Sequence, residues 1–122
     1  GTGTLMTALA EVVESHGLQT YGLRSEGQIQ RWTLEDVREQ LRLRRPLVIQ
    51  TYYRALPGRE GAAYYGDHYI VVTGILDDGF LYNDPLDYDG VGWDRVMSGE
   101  RLQRAMDASD RRFAYSAFAV SS

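Results

Sequence analysis

The stretch Tyr65-Gly66-Asp67-His68-Tyr69-Ile70-Val71-Val72-Thr73-Gly74-Ile75-Leu76-Asp77-Asp78-Gly79-Phe80-Leu81-Tyr82-Asn83-Asp84-Pro85-Leu86 decides how this chain is read. Two runs rich in β-branched and aromatic residues, Tyr69 to Leu76 and Phe80 to Asn83, flank Asp77-Asp78-Gly79. A glycine there supplies the positive φ that a tight turn asks for, so the stretch predicts an antiparallel hairpin with a three-residue loop. One of the two histidines of the chain, His68, opens the first strand, and Asn83-Asp84-Pro85 closes the second, sixteen positions later.

Histidine titrates near neutral pH and can take and return a proton, provided a carboxylate or amide fixes its tautomer. His68 and Asp84 are therefore a candidate base and orienting partner. In the register set by a three-residue loop, Asp84 shares a sheet face with His68 but lies opposite Val72. That is four residues along, or roughly 13 Å, so a bend or bulge has to close the gap. Against the pair stand two plain alternatives. A lone histidine at a strand start is commonly structural, and Asp-Pro is a good turn former without any chemistry. No nucleophile accompanies the pair: the chain has no cysteine, and no serine sits in a Gly-x-Ser-x-Gly turn.

Gly66-Asp67-His68-Tyr69-Ile70-Val71-Val72-Thr73-Gly74, a turn, and Phe80-Leu81-Tyr82-Asn83-Asp84-Pro85-Leu86 resemble the second half of the peptidase C39-like family, relatives of the bacteriocin-processing cysteine peptidases with a papain-like fold. The resemblance extends weakly over an upstream helix followed by Arg45-Pro46-Leu47-Val48-Ile49, and over a downstream helix and strand. It implies His68 as general base, Asp84 as orienting residue and a peptide or protein as substrate. Active members carry a cysteine on an early helix, preceded by a glutamine that helps bind the oxyanion, and this chain contains neither. Either it is a fragment whose first helix lies outside, or it kept the fold and lost the nucleophile. Without a thiolate these residues alone cannot act as a cysteine peptidase. A peptidase-like module that binds peptides or export substrates is the alternative, and a coincidental hairpin in an unrelated domain is a third reading.

The 122 residues fit one domain of common size, and 43% hydrophobic with 25% charged residues is ordinary for a globular chain. A net charge of −4 disfavours nucleic acid, whose phosphates call for a basic surface. The missing cysteines exclude disulfides and thiolate metal sites. No signal-like start and no run of eighteen apolar residues appear, so no membrane insertion is expected. The compartment stays undecided, with an exported or cell-envelope parent the favoured option. No cofactor is called for.

Along the chain, Thr4 to His16 reads as a helix with Leu5, Leu9, Val12 and Val13 on one stripe, stopped by Gly17. His16, in its last turn, reads as structural or capping. Leu18 to Leu23 alternates as a strand, and Arg24 to Arg31 reads as a loop. Thr33 caps a second helix to Leu43, with Asp36 completing an approximate capping box and Leu34, Val37 and Leu41 facing inward. The apolar run Leu47 to Tyr53 suits a strand covered on both faces. Arg54 to Gly66 reads as a flexible loop that delivers the chain to His68. Tyr64 and Tyr65 on that loop, Asp67 beside the histidine and Trp93 beyond the hairpin are candidates for lining a substrate groove. The acidic segment Asp87 to Asp94 lacks calcium-loop spacing, so no metal is assigned, and it reads as a surface loop with Trp93 folded back. Ser98 caps a third helix to Ala108 that buries Leu102, Ala105 and Met106. Arg112 to Val120 closes the chain as an edge strand.

The order predicts an α+β fold: an antiparallel sheet with helices on one side, a papain-like cysteine peptidase fold lacking the nucleophile helix. Sheet surface left bare by that helix would favour a homodimer or domain swap.

Overall fold

The computed structural model describes residues 2–64, 66–85 and 92–122. From the N-terminus the chain forms α1 (Thr2–Ser15), β1 (Gln19–Tyr21), the short strands β2 (Arg24–Ser25) and β3 (Gln28–Ile29), α2 (Leu34–Arg42) and β4 (Leu47–Tyr52). One 3₁₀ turn (Tyr53–Ala55) then leads on to β5 (Asp67–Leu76), β6 (Gly79–Asn83), β7 (Arg95–Ser98), α3 (Gly99–Asp107) and β8 (Ala117–Ser121). Six of the strands make one antiparallel sheet in the order β1-β8-β4-β5-β6-β7. This is the mixed helix-and-sheet architecture that the sequence predicts.

Strand β4 runs through the middle of that sheet, and its first five residues are all buried. Leu47 and Ile49 point into the larger core with Val37 and Leu41 of α2 and Leu102, Ala105 and Met106 of α3. Val48, on the opposite face, packs with Phe118 of β8 and with Met6 and Ala10 of α1. The helices are thus divided between the two faces, not gathered on one. The apolar character of Leu47 to Tyr53 already called for two covers, because a strand apolar on both sides is stable only when both sides leave water. The buried stripe of α1 is Met6, Leu9, Ala10 and Val13, whereas Val12 is 55% exposed; helical spacing fits either stripe, and packing against the sheet selects one.

The helix ends follow local rules. In α2 the Thr33 hydroxyl accepts from Asp36 N–H at 3.1 Å while the Asp36 carboxylate accepts from Thr33 N–H at 2.9 Å, a complete capping box. The Ser98 hydroxyl accepts from Arg101 N–H at the start of α3. Each cap stabilises its helix by about 1 kcal/mol.

Elsewhere the sequence reading needs correction. Arg24 to Arg31 contains the hairpin β2–β3, turned by Glu26 and Gly27 with φ of 54° and 81°. Two successive positive φ values define the turn that suits a right-twisted hairpin, and glutamate rarely announces it. Strand β7 was not foreseen. β8 begins only at Ala117 and is an interior strand, since Phe113 N–H and Ser116 N–H close turns onto Asp110 and Phe113 and Tyr115 takes a φ of 67°. The span after β4 is no open loop: Leu56, Arg59 and Ala62 N–H close successive turns on Tyr53, Leu56 and Arg59, and Leu56 is fully buried. Among the described residues no helix is long and apolar enough to cross a membrane.

Candidate active site

The β5–β6 hairpin solves the distance problem left by its sequence. Its turn has two residues, Asp77 and Asp78, with Leu76 paired to Gly79, which moves the register of β6 along by one. Gly79 is not in the left-handed region, so its backbone conformation does not call for a glycine. A second residue is gained at a bulge around the exposed Thr73, where pairing slips from Gly74↔Leu81 to Val72↔Tyr82 and Val71↔Asn83. Extended by one step, this register sets Asp84 beside Ile70, two residues and ~7 Å from His68 on the same face. Side chains cover the rest: Nε2 of His68 lies 2.8 Å from Oδ1 of Asp84.

The site is sunk into the sheet. The Asp84 side chain is 1% exposed and that of His68 11%. His68 also pairs with Thr51 of β4, whose hydroxyl donates to the His68 carbonyl at 2.8 Å and fixes the strand start. Its ring meets Tyr53 edge-on, with centroids 5.1 Å apart and planes at 88°. Tyr53 is itself buried in the core. The second Asp84 oxygen, Oδ2, takes Arg59 Nε–H at 3.2 Å. A carboxylate held by a guanidinium is an acceptor only, so the shared hydrogen belongs to His68 Nε2, and in the neutral ring the lone pair is then on Nδ1. Chemically, this is an oriented imidazole with one basic nitrogen to offer.

The other candidates divide. Tyr64 is 43% exposed, stacks edge-on with Tyr53 at 5.6 Å and donates its hydroxyl to the Asp67 carbonyl at 2.6 Å, so it stands one ring away from His68. Asp67 turns its carboxylate to Asp110 N–H, at 3.1 Å. Trp93 is 67% exposed and not folded back. Its neighbours are tied to the end of β6, Asp84 N–H donating to Gly92 O at 2.7 Å and Asp94 N–H to the Asn83 side chain at 2.9 Å. Asp94 there has a φ of 54°, so the backbone is fixed and the indole stays in solvent. Tyr65, and most of the acidic segment from Asp87 onward, lie outside the described residues. His16 caps its own helix, its Nδ1 lying 2.9 Å from the Val12 carbonyl. Sequence reasoning missed Tyr53 and Arg59: neither belongs to a motif, and only the folded turns after β4 bring Tyr53 to His68 and Arg59 to Asp84.

The fold and this geometry can be set beside known proteins. A search of the curated proteins finds no match. Among solved structures, a crystal structure described as a C39-like peptidase from Bacillus anthracis superposes with a TM-score of 0.63 at 15% identity. The alignment covers 96% of this chain and 58% of that one, so the chain spans little more than half the length of that protein. The likeness is one of fold. A family model, the papain-like cysteine protease AvrRpt2, matches residues 4–90 and so takes in most of the chain, including His68 and Asp84. With the matched span and the papain-like sheet in agreement, this chain belongs to the papain-like cysteine protease AvrRpt2 family.

Proposed function

We propose that the chain carries the histidine–carboxylate half of a cysteine peptidase site that acts on peptides, with His68 as general base and Asp84 as its orienting residue. The observation behind this reading is the 2.8 Å contact between His68 Nε2 and a buried Asp84 oxygen. It fixes the ring and leaves Nδ1 as the atom that would take a thiol proton, giving an imidazolium and a thiolate able to attack a peptide carbonyl. None of the 122 residues is a cysteine, so the thiol has to come from outside them and the chain by itself hydrolyses nothing by this route.

The missing thiol favours a second reading, a module that binds peptides without cutting them. Tyr64 reaches the site through Tyr53, and Trp93 follows Gly92, whose carbonyl accepts from Asp84 N–H. These two exposed aromatic side chains would give a bound peptide apolar contact, and Asp67, beside His68, would border the same groove.

Side-chain ¹⁵N and ¹H NMR of His68 tests the base–orienter assignment. The expected result is one tautomer, protonated at Nε2, that becomes a mixture in Asp84→Ala; a ring indifferent to Asp84 would remove the assignment. Incubation with a random-sequence peptide library tests the activity. Trp93 emission should shift with no cleavage products seen by mass spectrometry. Cleavage abolished by a thiol reagent would contradict the first reading, and an unmoved Trp93 would end the second.

A further inference from the structure

Asp84 carries one negative charge and meets nitrogens of two described residues on different oxygens. His68 Nε2 lies 2.8 Å from Oδ1 and Arg59 Nε 3.2 Å from Oδ2. The Arg59 side chain is only 9% exposed, which is unusual for an arginine and requires a paired charge. A neutral imidazole can donate a hydrogen bond to a buried carboxylate, but it brings no charge. Arginine is always protonated and does. The guanidinium also lies 5.8 Å from the centroid of Tyr53, the ring that meets His68 edge-on. Arg59 therefore touches two of the side chains that border the histidine ring, Asp84 and Tyr53. Its own backbone is held on both sides, by Arg59 N–H on Leu56 O at 3.0 Å and by Ala62 N–H on Arg59 O at 3.1 Å.

We infer that Arg59 is a positioning residue for His68, holding Asp84 as an ionised acceptor in one orientation and supplying its counter-charge, so that a neutral His68 presents Nδ1. The guanidinium meets the opposite oxygen from the one that His68 uses, so it acts through Asp84 and does not reach the reacting nitrogen. The inference rests on the base–orienter reading of His68 and Asp84 given above. The plainer role for the same contact is a strut that pins the turns after the 3₁₀ segment to the end of β6. The two roles differ in what the histidine ring feels: a strut alters stability, whereas a positioning residue alters the tautomer and proton exchange of His68 in a protein that is still folded.

The experiment uses the full chain and its variants Arg59→Gln, Arg59→Lys and Asp84→Asn, with thermal melting to verify folding and NMR to read the His68 ring. In wild type, Arg59 Nε–H and His68 Nε2–H should both exchange slowly with solvent. In Arg59→Gln, His68 Nε2–H exchange should rise at least about tenfold, the scale set by losing a hydrogen bond to a charged group, and the ring should leave its single tautomer. Arg59→Lys keeps the charge without the fork and should fall between, which keeps the test alive if the glutamine variant does not fold. Wild-type His68 shifts and exchange in folded Arg59 variants, with only the melting temperature lowered, would overturn the inference. If Asp84→Asn perturbs the ring while the Arg59 variants do not, this inference alone fails. If Asp84→Asn also leaves the ring unchanged, the base–orienter reading fails with it.

Discussion

Gly79 shows how one residue can set the spacing of three strands. It pairs with Leu76 of β5 on one side and Ser98 of β7 on the other. A Cβ at this position would overlap the Met97 carbonyl oxygen and come within 3.0 Å of the Ser98 Cα. Both are backbone atoms that cannot swing aside. Gly27, with a φ of 81° and open space around it, is the opposite case, since only its conformation resists a side chain. Gly79→Ala is therefore expected to cost about 1–3 kcal/mol by forcing β6 and β7 apart, and Gly27→Ala only about 1 kcal/mol. Denaturant melts of both variants would check the order; an alanine at 79 tolerated better than one at 27 would contradict the close-approach argument. The same register places Phe80 opposite Met97, so the damage would spread into the core beside β7.

At the scale of elements, β7 is one of the two edges of the sheet, β1 being the other. It pairs only with β6 among the described residues, leaving its other edge unpaired in the sheet order. Val96 is 58% exposed and Leu76 43%, and they line a groove of about 400 Å³ with Asp77, Asp78, Gly79, Met97 and Ser98. An open strand edge beside apolar side chains is a template for pairing with another chain, and here no lysine or proline within β7 blunts it. Self-association through this edge is the expected behaviour. Sedimentation velocity should show a concentration-dependent dimer that Val96→Lys disperses. A monomer at every concentration would refute it.

At the scale of the whole molecule, two tyrosines couple stability to alkaline pH. Burial pushes the Tyr82 phenol above its usual value of 10.0, despite the hydrogen bond that Arg95 Nε–H donates to it at 3.2 Å. The hydrogen bond to Asp107 raises Tyr115 as well. In the unfolded chain both phenols ionise near 10, while in the folded chain they still hold their protons. Above that pH the unfolded state is the one relieved of protons, so stability is full below about pH 10 and falls as pH rises through the folded values. Melting temperature should hold level up to about pH 10 and decline beyond it. Tyr82→Phe should flatten the decline, although losing the Arg95 contact lowers stability at neutral pH by about 1 kcal/mol. An unchanged alkaline slope in that variant would remove Tyr82 from the account.

The sequence by itself determined what neighbours in the chain decide. Thr33 with Asp36 and Ser98 with Arg101 start helices through contacts three residues apart, the hairpin follows from two β-rich runs about a short polar turn, and the absence of cysteine excludes a thiolate from any fold these residues adopt. His68 and Asp84 stood out as residue types at a spacing, but their 16-residue separation did not say whether they meet. Only the tertiary structure decided that. The two-residue turn and the bulge at Thr73 depend on which side chains of β5 and β6 bury together, as Val72 does with Tyr82. The same holds for the division of helices between two faces, for β7, and for Arg59 on Asp84 from 25 residues away. Local geometry is fixed by a few bonds within a turn of chain, whereas register and ion pairing are fixed by burial shared among distant segments, which no single stretch contains.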